Sequence, residues 1–178
     1  MLSPRLAMER ETPAPPSLLQ RLVIGRNPRR TLIRTAIWAL ACIILGRFVL
    51  LPIKVQGISM MPTYKPNKVN LVNRLAFLFH PPQRGDIVAI KLAGWHVMYL
   101  KRIVGLPGET VAFHEGRLFI NGKEMEEPYI VFHCNWEHEP EQVGPNEYYV
   151  VGDNRSMDFF DHEQGRTTRD RIVGKIVL

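Results

Sequence analysis

The hydrophobic pattern divides the chain into three parts. Residues 1–34 alternate between proline-rich and arginine-rich stretches without an apolar period, whereas residues 35–53, TAIWALACIILGRFVLLPI, form an apolar run with one charge, Arg47. A helix of about 20 apolar residues crosses a hydrocarbon core of about 30 Å. The pattern therefore predicts a basic tail over 1–34, mobile in its first part, and one transmembrane helix over 35–53.

Two features of the apolar run could favour other interpretations. Arg47 is costly inside a bilayer, but it lies in the last third of the run, where its head can reach the interface. The ALA at 39–41 is typical of a cleavage site, yet the apolar run continues past it and its basic flank is longer than that of a signal peptide. An uncleaved anchor is favoured over a cleaved signal peptide or a buried soluble helix.

Beyond residue 53 the pattern changes to short runs rich in Val, Ile, Tyr and Phe, separated by turn signals such as Leu-Pro-Gly and Asn-Gly. The runs are KVNLVNRL, GDIVAIKL, WHVMYLKRIVG, ETVAFHEGRLFING, EYYVVGD and RIVGKIVL. They predict a mainly β fold of antiparallel sheets over 54–178, with residues 111–146 as a loop-rich β-hairpin excursion. Asn121-Gly122 suits a type I′ hairpin turn.

The net charge of +6 is unevenly distributed, because residues 1–34 hold seven arginines and two acidic residues and therefore five of the six net charges. The remainder is nearly neutral, so no nucleic-acid partner is expected. By the positive-inside rule the basic tail is cytoplasmic. The prediction is a single-pass protein of the cell or inner membrane whose domain over 54–178 lies on the outer or periplasmic side.

Two cations in the predicted strand WHVMYLKRIVG are candidates for chemistry, since alternation places Lys101 on one apolar face and Arg102 on the other. They could be surface side chains of an edge strand. Alternatively, a desolvated lysine can lose its proton and act as a base, whereas an arginine stays charged and needs an acidic partner. Asp153 in GDNR is the predicted partner of Arg102, although GDNR alone could be an ordinary turn.

Four motifs occur in a specific order behind the apolar run: GISMMPT at 57–63, RGDIVAI at 84–90, YLKRIVGLPGE at 99–109 and GDNR at 152–155. Together with IVGK at 172–175, they resemble the bacterial type I signal peptidases, which are Ser-Lys proteases, over about residues 53–178. The resemblance implies a signal-peptidase-like β domain, signal peptides of exported preproteins as substrates, cleavage after small residues at −1 and −3, and no cofactor. Membrane lipid and the secretion translocon are the other implied partners.

The resemblance also assigns residues to roles. Ser59, by itself a possible turn hydroxyl, becomes the nucleophile and an oxyanion donor through its N–H, and Lys101 becomes its general base. A lysine pKa near 10.4 would have to fall by roughly three units for this role, or about 4 kcal/mol. The substrate would bind along Gly57, Ile58, Met60, Tyr99 and Leu100. Structural support is assigned to Arg102, Asp153 and Arg155.

The segment after GDNR departs from the family, which continues with a serine and then Asp-Ser-Arg, whereas this chain reads SMDFFDHEQGR. Without a gap, Asp158 takes the place of the serine, Phe160 that of the aspartate and His162 that of the arginine. With a two-residue slip, Ser156 supplies the hydroxyl that orients the lysine amine and Asp158 is the following acid. The slipped alignment is favoured.

Other functions are also compatible with parts of the sequence. An inactive membrane-anchored β domain could bind exported chains, and a specialised processing peptidase of the same family would share every motif. A Ser-His enzyme could use His96 or His162. The stretch HCNWEH at 133–138 lacks the second ligand pair of a zinc site, so no metal is expected.

Overall fold

The computed structural model describes residues 27–93, 97–162 and 165–177, which form two units divided between Ile43 and Ile44. Helix α1 spans Pro28–Phe48, with a mean hydropathy of 1.6 and no buried residue, and its length and composition suit a membrane crossing. The tail up to residue 26 and His96 lie outside the described residues.

The predicted bounds of the helix, 35–53, were wrong at both ends. The helix begins at Pro28, since proline is well tolerated in a first helical turn, and it ends at Phe48. Residues 50–53 belong to a strand instead. Pro52 explains this end, because a proline disfavours helical backbone in the residue before it and donates no hydrogen bond.

The described part of the second unit contains two antiparallel sheets, and the predicted mainly β, antiparallel fold is confirmed. The first has the order β1-β2-β11-β3-β4-β9-β10, and the second has the order β7-β6-β5-β8. The strands are β1 (Leu50–Lys54), β2 (Val69–Asn73), β3 (Ile87–Ala93), β4 (Val97–Gly105), β5 (Thr110–His114), β6 (Arg117–Ile120), β7 (Lys123–Glu124), β8 (His138–Gln142), β9 (Glu147–Val151), β10 (Gly165–Thr168) and β11 (Ile172–Ile176).

The smaller sheet is built from the segment that was predicted as an excursion. Asn121 and Gly122 connect β6 to β7 with φ angles of 51° and 77°, the positive values that a type I′ turn requires. Val111, Phe113 and Trp136 pack in one buried cluster with Tyr149 of β9. The excursion is therefore attached to the larger sheet through an apolar core.

Strand β4 lies between β3 and β9 in the larger sheet. It pairs with β3 from Val97 to Arg102, with Lys101 opposite Val88. Within the described residues β9 pairs with β4 only from Arg102 onward, where Arg102 lies opposite Val151. In the described part of the sheet, the first half of β4, up to Lys101, therefore pairs with β3 but not with β9.

Candidate active site

The turn that carries Ser59 follows β1 and is fixed from both sides. The Val55 N–H donates to the Lys68 carbonyl at 2.9 Å, and the Tyr64 N–H donates to the Met60 carbonyl at 2.8 Å. Met60 is only 2% exposed and packs in one apolar cluster with Leu100 of β4. Ser59 is half-buried. Burial of Met60 thus anchors the turn while the adjacent serine stays accessible.

Asn154 holds the backbone around Ser59. Its N–H donates to the Ser59 carbonyl at 2.9 Å, and its Nδ2 donates to the Ile58 carbonyl at 3.1 Å. Asn154 is 5% exposed. In the sequence Asn154 was assigned no role of its own, and its place inside the motif GDNR was the signal that could have identified it.

Lys101 is 2% exposed, and its neighbours Leu100 and Ile103 are 6% and 0% exposed. Its Nζ lies 5.9 Å from the centroid of the Tyr99 ring. Lysine is almost never fully buried in proteins, because its amine is strongly hydrated. The alternative in which Lys101 is a surface side chain of an edge strand is therefore wrong.

Arg102 and Asp153 form a two-pronged ion pair, the pairing predicted from the strand. Arg102 Nε donates to Oδ1 at 2.8 Å and Nη2 donates to Oδ2 at 2.6 Å, while Nη1 donates to the Gly85 carbonyl at 3.0 Å. Burial alone would lower the pKa of the guanidinium, but the hydrogen bonds and charge of Asp153 outweigh it and raise the pKa above its ordinary value. Thr63 Oγ1 also donates to Asp153 Oδ2, at 2.5 Å.

The second arginine of the region, Arg155, is 1% exposed and pairs with a residue that the sequence analysis missed. Arg155 Nη1 donates to Glu127 Oε2 at 2.9 Å, and Nη2 donates to Oε1 at 2.5 Å. Its Nε donates to the Gly152 carbonyl at 3.1 Å. Glu127 lies in the loop between β7 and β8, where no motif marked it.

Ser156 and Asp158 both lie at the surface. The Ser156 hydroxyl donates to Asn154 Oδ1 at 2.7 Å, and Asp158 Oδ1 accepts the Phe160 N–H at 2.9 Å. The side chain of His162 is outside the described part of the structure. The hydroxyl of Ser156 thus contacts the residue that holds the Ser59 backbone, and its predicted role toward Lys101 stays a prediction.

A cleft of about 390 Å³ lies between β1 with the residues after it and the first half of β4. These two stretches lie at different positions of one sheet, with β2, β11 and β3 between them, so the sheet curls to bring them together. The cleft is lined by Leu51, Pro52, Ile53, Lys54, Val55, Gln56, Gly57, Ser59, Met60, Met98, Tyr99 and Leu100.

The cleft brings Ser59 together with four of the five residues predicted to bind substrate: Gly57, Met60, Tyr99 and Leu100. The fifth, Ile58, is not among the lining residues and is 48% exposed. Lys101 follows Leu100 in β4, directly beyond the lining. A cleft bounded by two extended stretches of chain suits a third extended chain, because strand edges offer backbone donors and acceptors.

The sequence of the chain is similar to those of known proteins. A family model described as "Signal peptidase, peptidase S26" matches residues 29–178. The chain therefore belongs to this family of peptidases, and the predicted family is confirmed.

A signal peptidase I of Leptolyngbya laminosa is 37% identical over 128 residues, which are 67% of this chain and 63% of that protein. The signal peptidase I S of Bacillus subtilis is 37% identical over 157 residues, 77% of this chain and 84% of that protein. A crystal structure of a signal peptidase I from Enterococcus faecalis V583 aligns with a TM-score of 0.43 and 26% identity, over 54% of this chain and 97% of that one.

Proposed function

We propose that this protein is a membrane-anchored serine endopeptidase that removes signal peptides from exported preproteins, with Ser59 as nucleophile and Lys101 as general base. The observation that carries the proposal is the burial of Lys101 on β4, next in sequence to Leu100, which lines a cleft that contains Ser59. Membership of the signal peptidase family supports the substrate class.

In the proposed mechanism the neutral Lys101 amine accepts the Ser59 hydroxyl proton as Oγ attacks the scissile carbonyl carbon. The tetrahedral intermediate collapses to an acyl-enzyme, and the leaving amine takes the proton from the lysine. A water then gives a proton to the same amine and attacks the ester, which releases the signal peptide and restores Ser59. Burial supports this mechanism because an apolar surrounding favours the uncharged form of an amine.

The substrate would bind as an extended strand in the cleft. Its backbone would lie along the first half of β4 and the stretch that precedes Ser59, and its side chains at −1 and −3 would point toward Met60, Tyr99 and Leu100. Because Met60 and Leu100 are almost fully buried in a packed cluster, little space remains there for a large side chain. The Ser59 N–H would stabilise the negative charge of the carbonyl oxygen.

We also propose that α1 spans the membrane with its N-terminus in the cytoplasm, because Arg29, Arg30 and Arg34 lie near its beginning. Residues 54–178 would then act on the outer face, near lipid and the translocon. A reporter fused after residue 178 should be active only if it is exported. A cytoplasmic signal would overturn this orientation.

The test of the dyad uses the full chain in detergent and a preprotein with an Ala-x-Ala site. Ser59→Ala and Lys101→Met should each lower kcat by about 1,000-fold or more, and Lys101→Met keeps the buried volume with no titratable amine. Lys123→Met is the matched control, because Lys123 is exposed on β7. Circular dichroism checks that each variant folds.

Two results would count against the proposed function. Cleavage by Lys101→Met at the wild-type rate would exclude the lysine as base, and cleavage by Ser59→Ala would exclude the serine. Binding of the preprotein by the wild-type chain without cleavage would instead support the inactive binding domain.

A further inference from the structure

We propose that Tyr129 and Glu127, in the loop between β7 and β8, are positioning residues for the Ser59 and Lys101 site; this inference rests on the proposed peptidase function. Neither residue lines the cleft. Tyr129 contacts Arg102, and Glu127 contacts Arg155.

Tyr129 acts on Arg102. Its ring centroid lies 3.8 Å from Arg102 Cζ, so the guanidinium is covered by the aromatic face while its nitrogens donate to Asp153 and Gly85. Cation–π contacts at this distance favour one orientation of the guanidinium. Since Arg102 follows Lys101 in β4, the ring limits movement of the strand segment that carries the proposed base.

Glu127 acts on Arg155 and is linked to Tyr129. It accepts two hydrogen bonds from the Arg155 guanidinium, and its Oε1 also accepts the Tyr129 hydroxyl at 2.6 Å. Arg155 in turn donates to the Gly152 carbonyl, at the start of the GDNR motif. Burial, followed by the negative charge of Glu127, raises the pKa of Tyr129, so the phenol remains a donor across the physiological range.

Asp153 and Asn154 connect the two arginines to the turn that carries Ser59. Asp153 receives Arg102 and the Thr63 hydroxyl, and Asn154 donates to the carbonyls of Ile58 and Ser59. Fixing Arg102 and Arg155 therefore fixes the turn 152–155, which fixes the backbone on both sides of the proposed nucleophile. Displacements near 1 Å can cost about 100-fold in rate.

The segment that follows GDNR explains why the loop between β7 and β8 supplies these contacts. Residues 156–161, SMDFFD, include two acids, Asp158 and Asp161, but both are exposed, as are Ser156 and Phe160. The counter-charge for Arg155 comes from Glu127, and the aromatic cover of Arg102 comes from Tyr129. The two residues act on the site from the loop between β7 and β8 and not from residues 156–161.

Kinetics of the full chain in detergent separate positioning from substrate binding. Tyr129→Ala should lower kcat by about 10- to 100-fold and change KM by less than about threefold. Tyr129→Phe keeps the ring over Arg102 and should restore kcat to within about fivefold of wild type. Glu127→Gln should lower kcat by about tenfold. Glu126→Gln is the matched control, since Glu126 is exposed and adjacent, and it should leave both constants unchanged.

Hydrogen exchange gives a readout that does not depend on activity. The Asn154 amide, which donates to Ser59, should exchange about tenfold faster in Tyr129→Ala. The Arg169 amide, which donates to the Asn146 carbonyl at the opposite end of β9 from residues 152–155, should be unchanged. If the wild-type chain cleaves nothing, the proposed function fails, and the exchange rate of Asn154 decides by itself whether Tyr129 holds the turn.

Either of two results overturns the inference. One is an unchanged kcat together with unchanged exchange at Asn154 in Tyr129→Ala. The other is faster exchange in all strands alike, with kcat falling only in proportion to the folded fraction, which would make the contact a general stabilising one.

Discussion

Replacing Asp153 by asparagine removes one charge from the centre of the site with almost no change in volume. Asp153 is 0% exposed and accepts two hydrogen bonds from Arg102 and one from Thr63. In the asparagine variant one acceptor oxygen becomes an amide donor that faces the guanidinium donors. Arg102 is then a nearly buried cation with an incomplete shell of acceptors.

The magnitude follows from this geometry. Removing one partner of a buried ion pair costs about 3 to 5 kcal/mol. The lower end applies here, because Arg102 retains 11% exposure and its hydrogen bond to the Gly85 carbonyl. We expect a loss of about 3 kcal/mol in the free energy of unfolding, which for a domain of this size lowers Tm by about 9 °C. Displacement of the turn should also lower kcat by about 100-fold.

The assay is thermal unfolding of the full chain in detergent, followed by near-ultraviolet circular dichroism, together with preprotein cleavage at a temperature where every variant is folded. Asp158→Asn is the matched control, since Asp158 is exposed in the same loop, and it should change stability by less than about 0.5 kcal/mol. The double variant Arg102→Met with Asp153→Asn removes both charges and should be more stable than additivity of the two single variants predicts. The reasoning is refuted if Asp153→Asn behaves like Asp158→Asn, or if the double variant is additive.

Three further predictions concern the rest of the β domain. Thr167→Val should raise stability by about 1 kcal/mol in thermal unfolding, because Thr167 Oγ1 is buried without a hydrogen-bond partner in the described structure; a lower Tm would contradict this. Gly116→Ala should lower the free energy of unfolding by about 3 kcal/mol, since the added Cβ would lie 2.1 Å from the Cys134 carbonyl oxygen. Gly122→Ala, also at positive φ but in open space, should lower it by about 1 kcal/mol. Equal losses in the two variants would refute the steric argument. The hydrogen bond to Glu137 raises the pKa of His114. The stabilisation from their pairing is therefore present below the unfolded pKa of about 6.5 and is lost as pH rises through the raised folded value. In an NMR titration Glu137→Gln should move the His114 pKa toward its ordinary value, and an unchanged titration would exclude the pairing.

The sequence alone determined features that depend on local pattern and on the chemistry of single residues. Apolar length indicated the helix, and β-branched runs indicated the strands. A buried arginine needs an acidic partner, and this rule paired Arg102 with Asp153, 51 positions away. The structure contains this ion pair. The order of short motifs indicated the family. The first three of these inferences need only the neighbours of a residue along the chain or a rule about charge, and the fourth needs only the order of motifs in the sequence.

The tertiary structure decided what depends on which strands and loops meet. Whether Lys101 is at the surface or buried depends on the strands that pair with β4 and the side chains packed over it, and alternation along one strand cannot decide between these cases. Thr63 meets Asp153 across 90 positions, although the motif GISMMPT that contains Thr63 names no partner for its hydroxyl, and Glu127 meets Arg155 across 28 positions with no motif to mark Glu127. Such contacts arise from the curl of the larger sheet and the placement of the excursion, because side-chain partners at long separation are selected by the packing of whole elements and not by local preference.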